Sequence, residues 1–370
     1  MNAGLDAAIA AVDAHEADIR SISAFLLDHP ELGHEEVESA GHLADALEAA
    51  DYRVERGIAG LPTAFRAELD TGRPGGTVGL LAVYDAAPAH RVADGRTVPT
   101  HSCGHTAQAA GVVGPALALA DLRDSLTGSV VVMGCPADEI HAPGTQRLGS
   151  GKALTAARGA WHDIDATLYA HPEFIDAVWS ESLWMRRVTA VVTGGRTLRN
   201  DLEPTPFAAL RRLTDALEDA DRATVMLETL RLDGDVEEGS GLSLRAQLLV
   251  FGATSEEVEE RLAPIREALP DAAWEDGNEI EAIVPDGRVA AAVLDAFAAA
   301  GRTVASDVPP LPFATDFGNV TGSSLRRSSA SAGRRAGPST PTAASISSPA
   351  PAGSRSPATS RRSSGSPPRA

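Results

Sequence analysis

The sequence is poor in the residues that would tie it to a polyanion, a membrane or an oxidising compartment. Its 370 residues include 32 basic against 51 acidic ones, a net charge of −19, and Lys152 is the sole lysine. So acidic a balance excludes nucleic acid as a partner, because binding phosphate requires a basic face, and it offers nothing to anionic lipid. The two cysteines, Cys103 and Cys135, stand in unrelated contexts and make no disulfide framework. Apolar runs are too short to span a bilayer, and the acidic N-terminus lacks the layout of a secretion signal. A cytoplasmic location and no membrane partner are the expectation. Aromatics amount to only 4%. Histidine is missing from everything after His171.

The length exceeds what one hydrophobic core usually serves, so two domains are expected. Apolar spacing predicts helices over Leu5–Leu27, Glu35–Ala50, Ala107–Leu122 and Ala153–Trp161. Between them Thr77–Val83, Ser129–Met133 and Ala166–Ala170 read as buried strands. This alternation indicates an α/β layer whose chemistry sits in loops at the strand ends. From about residue 184 the texture changes. Val188–Thr193, Thr224–Leu232, Leu242–Phe251 and Asn278–Val284 read as strands, with helices over Pro206–Leu217 and Ser255–Leu269. That βαββαβ order is the split βαβ of a ferredoxin-like unit. The helix Gly287–Ala300, a Pro-rich turn and Thr315–Val320 read as a return to the first domain. The expected organisation is therefore a catalytic domain over 1–183 and 285–322, an inserted ferredoxin-like domain over 184–284, and a tail over 323–370.

The tail is different material. Its 48 residues hold 15 Ser, 8 Arg and 7 Pro, with no Asp or Glu, a composition that buries too little apolar surface to order itself. With those arginines set aside, 24 basic residues face 51 acidic ones in the rest of the chain. A shift of reading frame near Gly322 would produce so abrupt a change of sign. Read one base out of register, the codons of Gly337–Ile346 permit Ala-Phe-His-Thr-Asp-Gly-Gly-Glu-His, a string with two histidines. The alternative is a genuine basic, phosphorylatable tail.

Three strand-end loops carry donor groups. His101-Ser102-Cys103-Gly104-His105 places a thiol and imidazoles in one tight turn ahead of a helix, and both donor types suit zinc and its neighbours. By itself a Cys-x-His is as readily a structural turn. Cys135-Pro136-Ala137-Asp138-Glu139 follows a strand with two adjacent carboxylates, one able to hold a metal and the other to move a proton. Taken alone they are more often solvated acids opening a helix. His171-Pro172 also follows a strand, where a lone histidine is usually an ordinary loop residue. Three such loops on one sheet edge are harder to dismiss together.

These segments resemble a known family. His29-Pro30-Glu31-Leu32-Gly33-His34-Glu35-Glu36, Tyr84-Asp85-Ala86-Ala87-Pro88, His101–His105, Pro136–Glu139, His171-Pro172 and Thr315–Val320 are similar, in order and spacing, to signatures of the metal-dependent aminoacylase and carboxypeptidase family. The likeness is to its aminobenzoyl-glutamate and indole-acetyl-amino-acid hydrolases, and it covers roughly residues 15–322. It implies an α/β/α zinc-hydrolase domain with an inserted ferredoxin-like α+β lid and dimerisation domain. It further implies two divalent metal ions (zinc, manganese or cobalt), with Cys103, His105, Glu139 and His171 as ligands and Asp138 as general base. The implied substrate is an N-acyl amino acid or small peptide-like amide, and the implied partner a second copy joined through the lid. The sequence departs from the family at four points. The C-terminal ligand histidine has no counterpart, which weakens the second metal site. Asp138 stands where the family has glutamate, Thr106 where it has Asp or Asn, and Arg196 near the place of a lid histidine that steadies the tetrahedral intermediate. The rival reading is an impaired relative acting as a binding or assembly protein.

Overall fold

The computed structural model describes residues 3–90, 95–179, 181–194, 206–234, 241–305, 308–322 and 342–348. The N-terminal helical stretch is two helices, α1 (Ala3–Ala14) and α2 (Glu16–Asp28), broken at His15. The His15 ring lies between Asp18 and the distant Asp121, at 2.8 and 2.9 Å. Next come α3 (Val37–Ala49), β1 (Arg53–Arg56), β2 (Phe65–Asp70), β3 (Thr77–Val83), and a small hairpin of β4 (Ala87–His90) and β5 (Thr97–Thr100). The first unit continues with α4 (His105–Asp121), β6 (Ser129–Cys135), α5 (Pro143–Leu148), α6 (Gly151–Ala157), β7 (Ala166–Pro172) and β8 (Ala177–Trp179).

The second unit is built from β9 (Trp184–Gly194), α7 (Pro206–Asp219), β10 (Val225–Asp233), β11 (Leu242–Gly252), α8 (Ser255–Ala268) and β12 (Ala273–Ile280). Its sheet runs β10-β11-β9-β12, antiparallel throughout, with the first and third strands in the middle. That is the expected split βαβ order. The helices pack on one face through Val188, Ala190, Val192, Leu213, Leu248 and Leu262. The other face carries Arg187, Thr189, Arg245 and Gln247 and bounds a cavity of about 490 Å³ with α5. Strand period 2 produces this division, since alternate residues point to opposite faces. β12 begins five residues before the predicted Asn278. A bulge between Asp276 and Glu279 interrupts the alternation that would have marked it.

After α9 (Gly287–Ala299) and a helical turn over 317–322, the last described element is β13 (Thr342–Ser348). It joins the first unit's seven-stranded sheet, ordered β1-β2-β6-β3-β7-β13-β8, where β3, β6, β7 and β13 run parallel. These seven residues fall within the stretch expected to be a disordered tail; the rest of 323–370 lies outside the described residues. The outer edge of β7 offers a ladder of backbone donors and acceptors, and pairing with it makes no demand for a large apolar side chain. Helices cover both faces of the sheet. α2, α3 and α4 pack through Leu26, Leu43, Leu47 and Val113, and the other face receives Trp161, Ile283 and Phe317. Among the described residues no helix is long and apolar enough to cross a membrane.

Candidate metal centre

Parallel β3, β6 and β7 end together, and the donors gather there: His171 near the end of β7, Asp138 and Glu139 just after β6, and Cys103 and His105 after the hairpin that follows β3. Gly104 begins α4 at φ 82°, and a Cβ there would come within 3.1 Å of Pro172 Cγ. Glycine is thus favoured twice, by the left-handed turn and by the close approach of Pro172 next to His171. Cys103 Sγ lies 3.5 Å from His171 Nε2. One ligand atom each from Cys103, His105 and His171 falls within 4.8 Å of the other two. Glu139 lines the same cavity, about 290 Å³ in volume, with Asp138, Tyr169 and Asp316. It stands outside the three-donor group, and its Oε1 is buried without a hydrogen-bond partner among the described residues.

The shell behind these donors orients them. His105 Nδ1 faces the Asp85 carbonyl oxygen at 2.8 Å and Asp85 Oδ1 at 2.9 Å. This leaves Nε2 directed at the cavity and without a hydrogen bond among the described residues, the arrangement expected of a ligating imidazole. Asp85 is fully buried, and its Oδ2 accepts from the Glu139 amide at 2.8 Å. One carboxylate therefore sets two candidate ligands. Burial disfavours charge on His105, yet Asp85 and the Cys103 sulfur raise it to about 10. A proton and a cation would compete for the same nitrogen. Burial followed by the charge of His105 pushes His171 down to about 4, and burial raises Glu139 above the usual carboxylate range. A thiol and two imidazoles converging, with an orphaned carboxylate oxygen at their flank, fit one divalent cation. No histidine follows His171 to complete a second site.

Asp138 is held from several sides. Lys152 Nζ donates to its Oδ1, Tyr169 donates to its Oδ2 at 3.3 Å, and His105 Nε2 lies 3.2 Å from Oδ2. Lys152 is wholly buried and also pairs with Asp316 Oδ1 at 2.7 Å. Asp316 reaches back through Oδ2 to the Lys152 amide at 3.1 Å. The segment Thr315–Val320 thus returns to the first unit and meets the candidate base through Lys152.

Several of these residues carry no role that their sequence alone suggests. Glu36, inside the N-terminal signature, is a brace: Oε1 accepts from the Ala137 amide at 2.7 Å and Oε2 from the Thr63 hydroxyl at 2.9 Å. Ala137 sits at φ 57°, a strained turn for a residue with a Cβ. Burial and the nearby Asp85 push Glu36 up to about 8. Gln108 staples the sheet, accepting from Val83 N and donating to the Leu81 and Ala170 carbonyls. A carboxylate in a string such as Glu35-Glu36 is visible in sequence, but its burial is not. Arg196 lies outside the described residues.

A mixed sheet with donors at its strand ends and a split βαβ unit inserted behind them defines a metal-dependent hydrolase fold. Residues 64–345 match the model of peptidase family M20/M25/M40, and the chain belongs to that family. Among characterised relatives it is similar to a p-aminobenzoyl-glutamate hydrolase subunit of Escherichia coli (strain K12). The two are 35% identical over 174 residues, 44% of this chain and 34% of that one. The matched stretch spans about a third of that relative's length. Among solved structures, the aminobenzoyl-glutamate utilization protein from Klebsiella pneumoniae superposes with a TM-score of 0.66 at 15% identity, over 91% of each chain. The YXEP protein of Bacillus subtilis, a dinuclear metal-binding peptidase of the M20 family, superposes with a TM-score of 0.61 at 17% identity, over 90% of this chain and 89% of that one. These likenesses establish the fold.

Proposed function

We propose that this chain hydrolyses an amide bond in an N-acyl amino acid or a small peptide-like amide by metal-assisted attack of water. The observation that supports it is the meeting of Cys103, His105 and His171 within 4.8 Å, beside Asp138 and the orphaned Glu139 oxygen. A divalent cation held there, with zinc, manganese and cobalt all suited to so mixed a set, would acidify water and polarise a carbonyl. Asp138 is the group placed to take a proton from the attacking water and return it to the leaving amine. Its carboxylate reaches the cavity while Lys152 and Tyr169 fix its plane. Fixing matters because a displacement of about 1 Å can cost roughly 100-fold in rate. Leu311, Phe313 and Ala314 form the apolar wall of the same cavity, against which the acyl group or side chain of the substrate would lie.

A second copy of the chain is the proposed partner. β10 is an edge strand of its sheet, and Met226, Leu227, Leu230 and Leu232 on it are exposed. Such an edge, apolar and unpaired among the described residues, is a template for self-association. The hydrolytic reading is tested with a panel of N-acyl amino acids supplied with zinc, manganese or cobalt. Release of free amino acid that stops with chelator and in Glu139→Ala supports it; release that persists in Glu139→Ala sinks it.

A further inference from the structure

The loop that carries Asp138 and Glu139 is anchored from two directions. The first unit holds its beginning: Glu36 takes the Ala137 amide and Asp85 takes the Glu139 amide. The second unit holds its end. Arg187 of β9 donates from Nη2 to the Ile140 carbonyl at 2.8 Å, and Glu228 of β10 faces His141 Nδ1 at 2.6 Å. Gln146 of α5 donates to the same Glu228 oxygen at 3.3 Å. Arg187 and Glu228 bind each other through two parallel hydrogen bonds of 2.8 and 2.9 Å, with side chains only 7% and 5% exposed.

This arrangement does not follow from regular strand geometry. β9 and β10 are not neighbours, because β11 lies between them. Glu228 is the residue skipped in the pairing of β10 with β11, between Leu227↔Leu248 and Thr229↔Gln247. A bulge re-aims the side chain at which it occurs. Here it serves to carry Glu228 across the central strand to Arg187 and toward the first unit. On the far side of Arg187 a second bulge places Gly277, where a Cβ would stand 3.0 Å from the Arg187 carbonyl oxygen and 3.3 Å from its Cβ. Two irregularities in one sheet thus converge on a single ion pair whose outward contacts, among the described residues, go to the loop beyond Glu139 and to α5.

We infer that Glu228 and Arg187 form a latch that couples docking of the second unit to the position of Glu139, and so to cation affinity at the Cys103/His105/His171 centre. Both are positioning residues, since neither touches the donors. Because the coupling is thermodynamic it acts in both directions: closing the latch tightens the cation, and the cation steadies the latch. The effect on affinity rests on the proposed metal centre; the effect on the loop does not.

The test uses the full chain, with Zn²⁺ as probe. In metal-free protein, hydrogen exchange at amides 139–142 is expected to quicken in Glu228→Gln and Arg187→Met. Titration calorimetry is expected to show Zn²⁺ binding weakened by about 10-fold or more in both, the range found when groups behind a ligand are removed. Arg245→Met breaks a pair with Glu275 on the same sheet face, 2.6 Å apart, and should leave both readouts within about twofold of the parent, as surface ion pairs contribute little. Unchanged exchange at 139–142 in Glu228→Gln overturns the latch, as does an equal loss of affinity in Arg245→Met, which would mean general weakening of the second unit. Failure of the parent chain to bind Zn²⁺ overturns the metal centre, while the exchange result still decides the latch.

Discussion

The two sheets of this protein put their chemistry in different places. In the first unit β3, β6 and β7 run parallel beneath helices on both faces, so most of their side chains are spent on packing, and the donors gather at the strand ends, His171 near the end of β7 and the others in segments beyond the strands. In the second unit the described helices pack on one face of the antiparallel sheet, and the other presents Arg187, Glu228 and Gln247 toward its neighbour. Function at an edge depends on how strands terminate; function on a face depends on which residues alternate outward. A bulge is therefore costly in the first sheet and useful in the second.

Removing a buried partner in the first unit should give the largest effect. Lys152→Met leaves Asp138 and Asp316 without their shared cation, and loss of one member of a buried ion pair costs about 3–5 kcal/mol; urea unfolding measures it. An unfolding midpoint equal to that of the parent would show the network to be dispensable. Next, Glu139→Ala should lower hydrolysis by at least about 100-fold, because groups one step further from a metal already cost roughly 10–100-fold. This is read as turnover at saturating metal.

A subtler probe of the same loop is pH. Glu36 is raised from 4.5 to about 8 in the folded chain, so the folded state holds a proton there that the unfolded state has lost. Its contribution to stability is complete below pH 4.5 and disappears as pH climbs through 8. Glu36→Gln should flatten that decline in stability over the interval, measured by unfolding at a series of pH values. An unaltered slope would move the burden to other groups. The smallest effect on the single chain is expected from Leu230→Asp on β10, an exposed position. It should leave the fold intact and shift light-scattering mass from two copies to one.

The comparison also explains what could be read from sequence. Strands β3, β6 and β7 are continuous apolar runs, so Thr77–Val83, Ser129–Met133 and Ala166–Ala170 were legible almost to the residue. Amphipathic α7 and α8 were equally plain. The edges were not. β1 (Arg53–Arg56) is a polar edge strand with little apolar signal, and β12 is interrupted by its bulge. His15, which divides α1 from α2, offers no Gly or Pro signal, and its two aspartate contacts become visible only once Asp121 is brought near. In the site, Cys103, His105 and His171 were readable as donors because their chemistry is unusual, and they do meet. Glu139 was readable as a carboxylate in the right loop, though not as standing apart from the other three. Asp85, Glu36 and Lys152 were invisible as actors because what distinguishes them is burial, which no local pattern reports.

β13 has one more bearing on the site. β3 pairs with β7 only at Ala166–Leu168, whereas β13 follows β7 onward to Pro172, with Ser347 opposite His171. The backbone beneath one of the three donors is therefore splinted by seven residues from a stretch otherwise rich in Ser, Arg and Pro. Among the described residues β8 reaches the sheet through that same splint. Loss of Thr342–Ser348 would therefore remove the ladder partner of both β8 and the strand end at His171 in a single event.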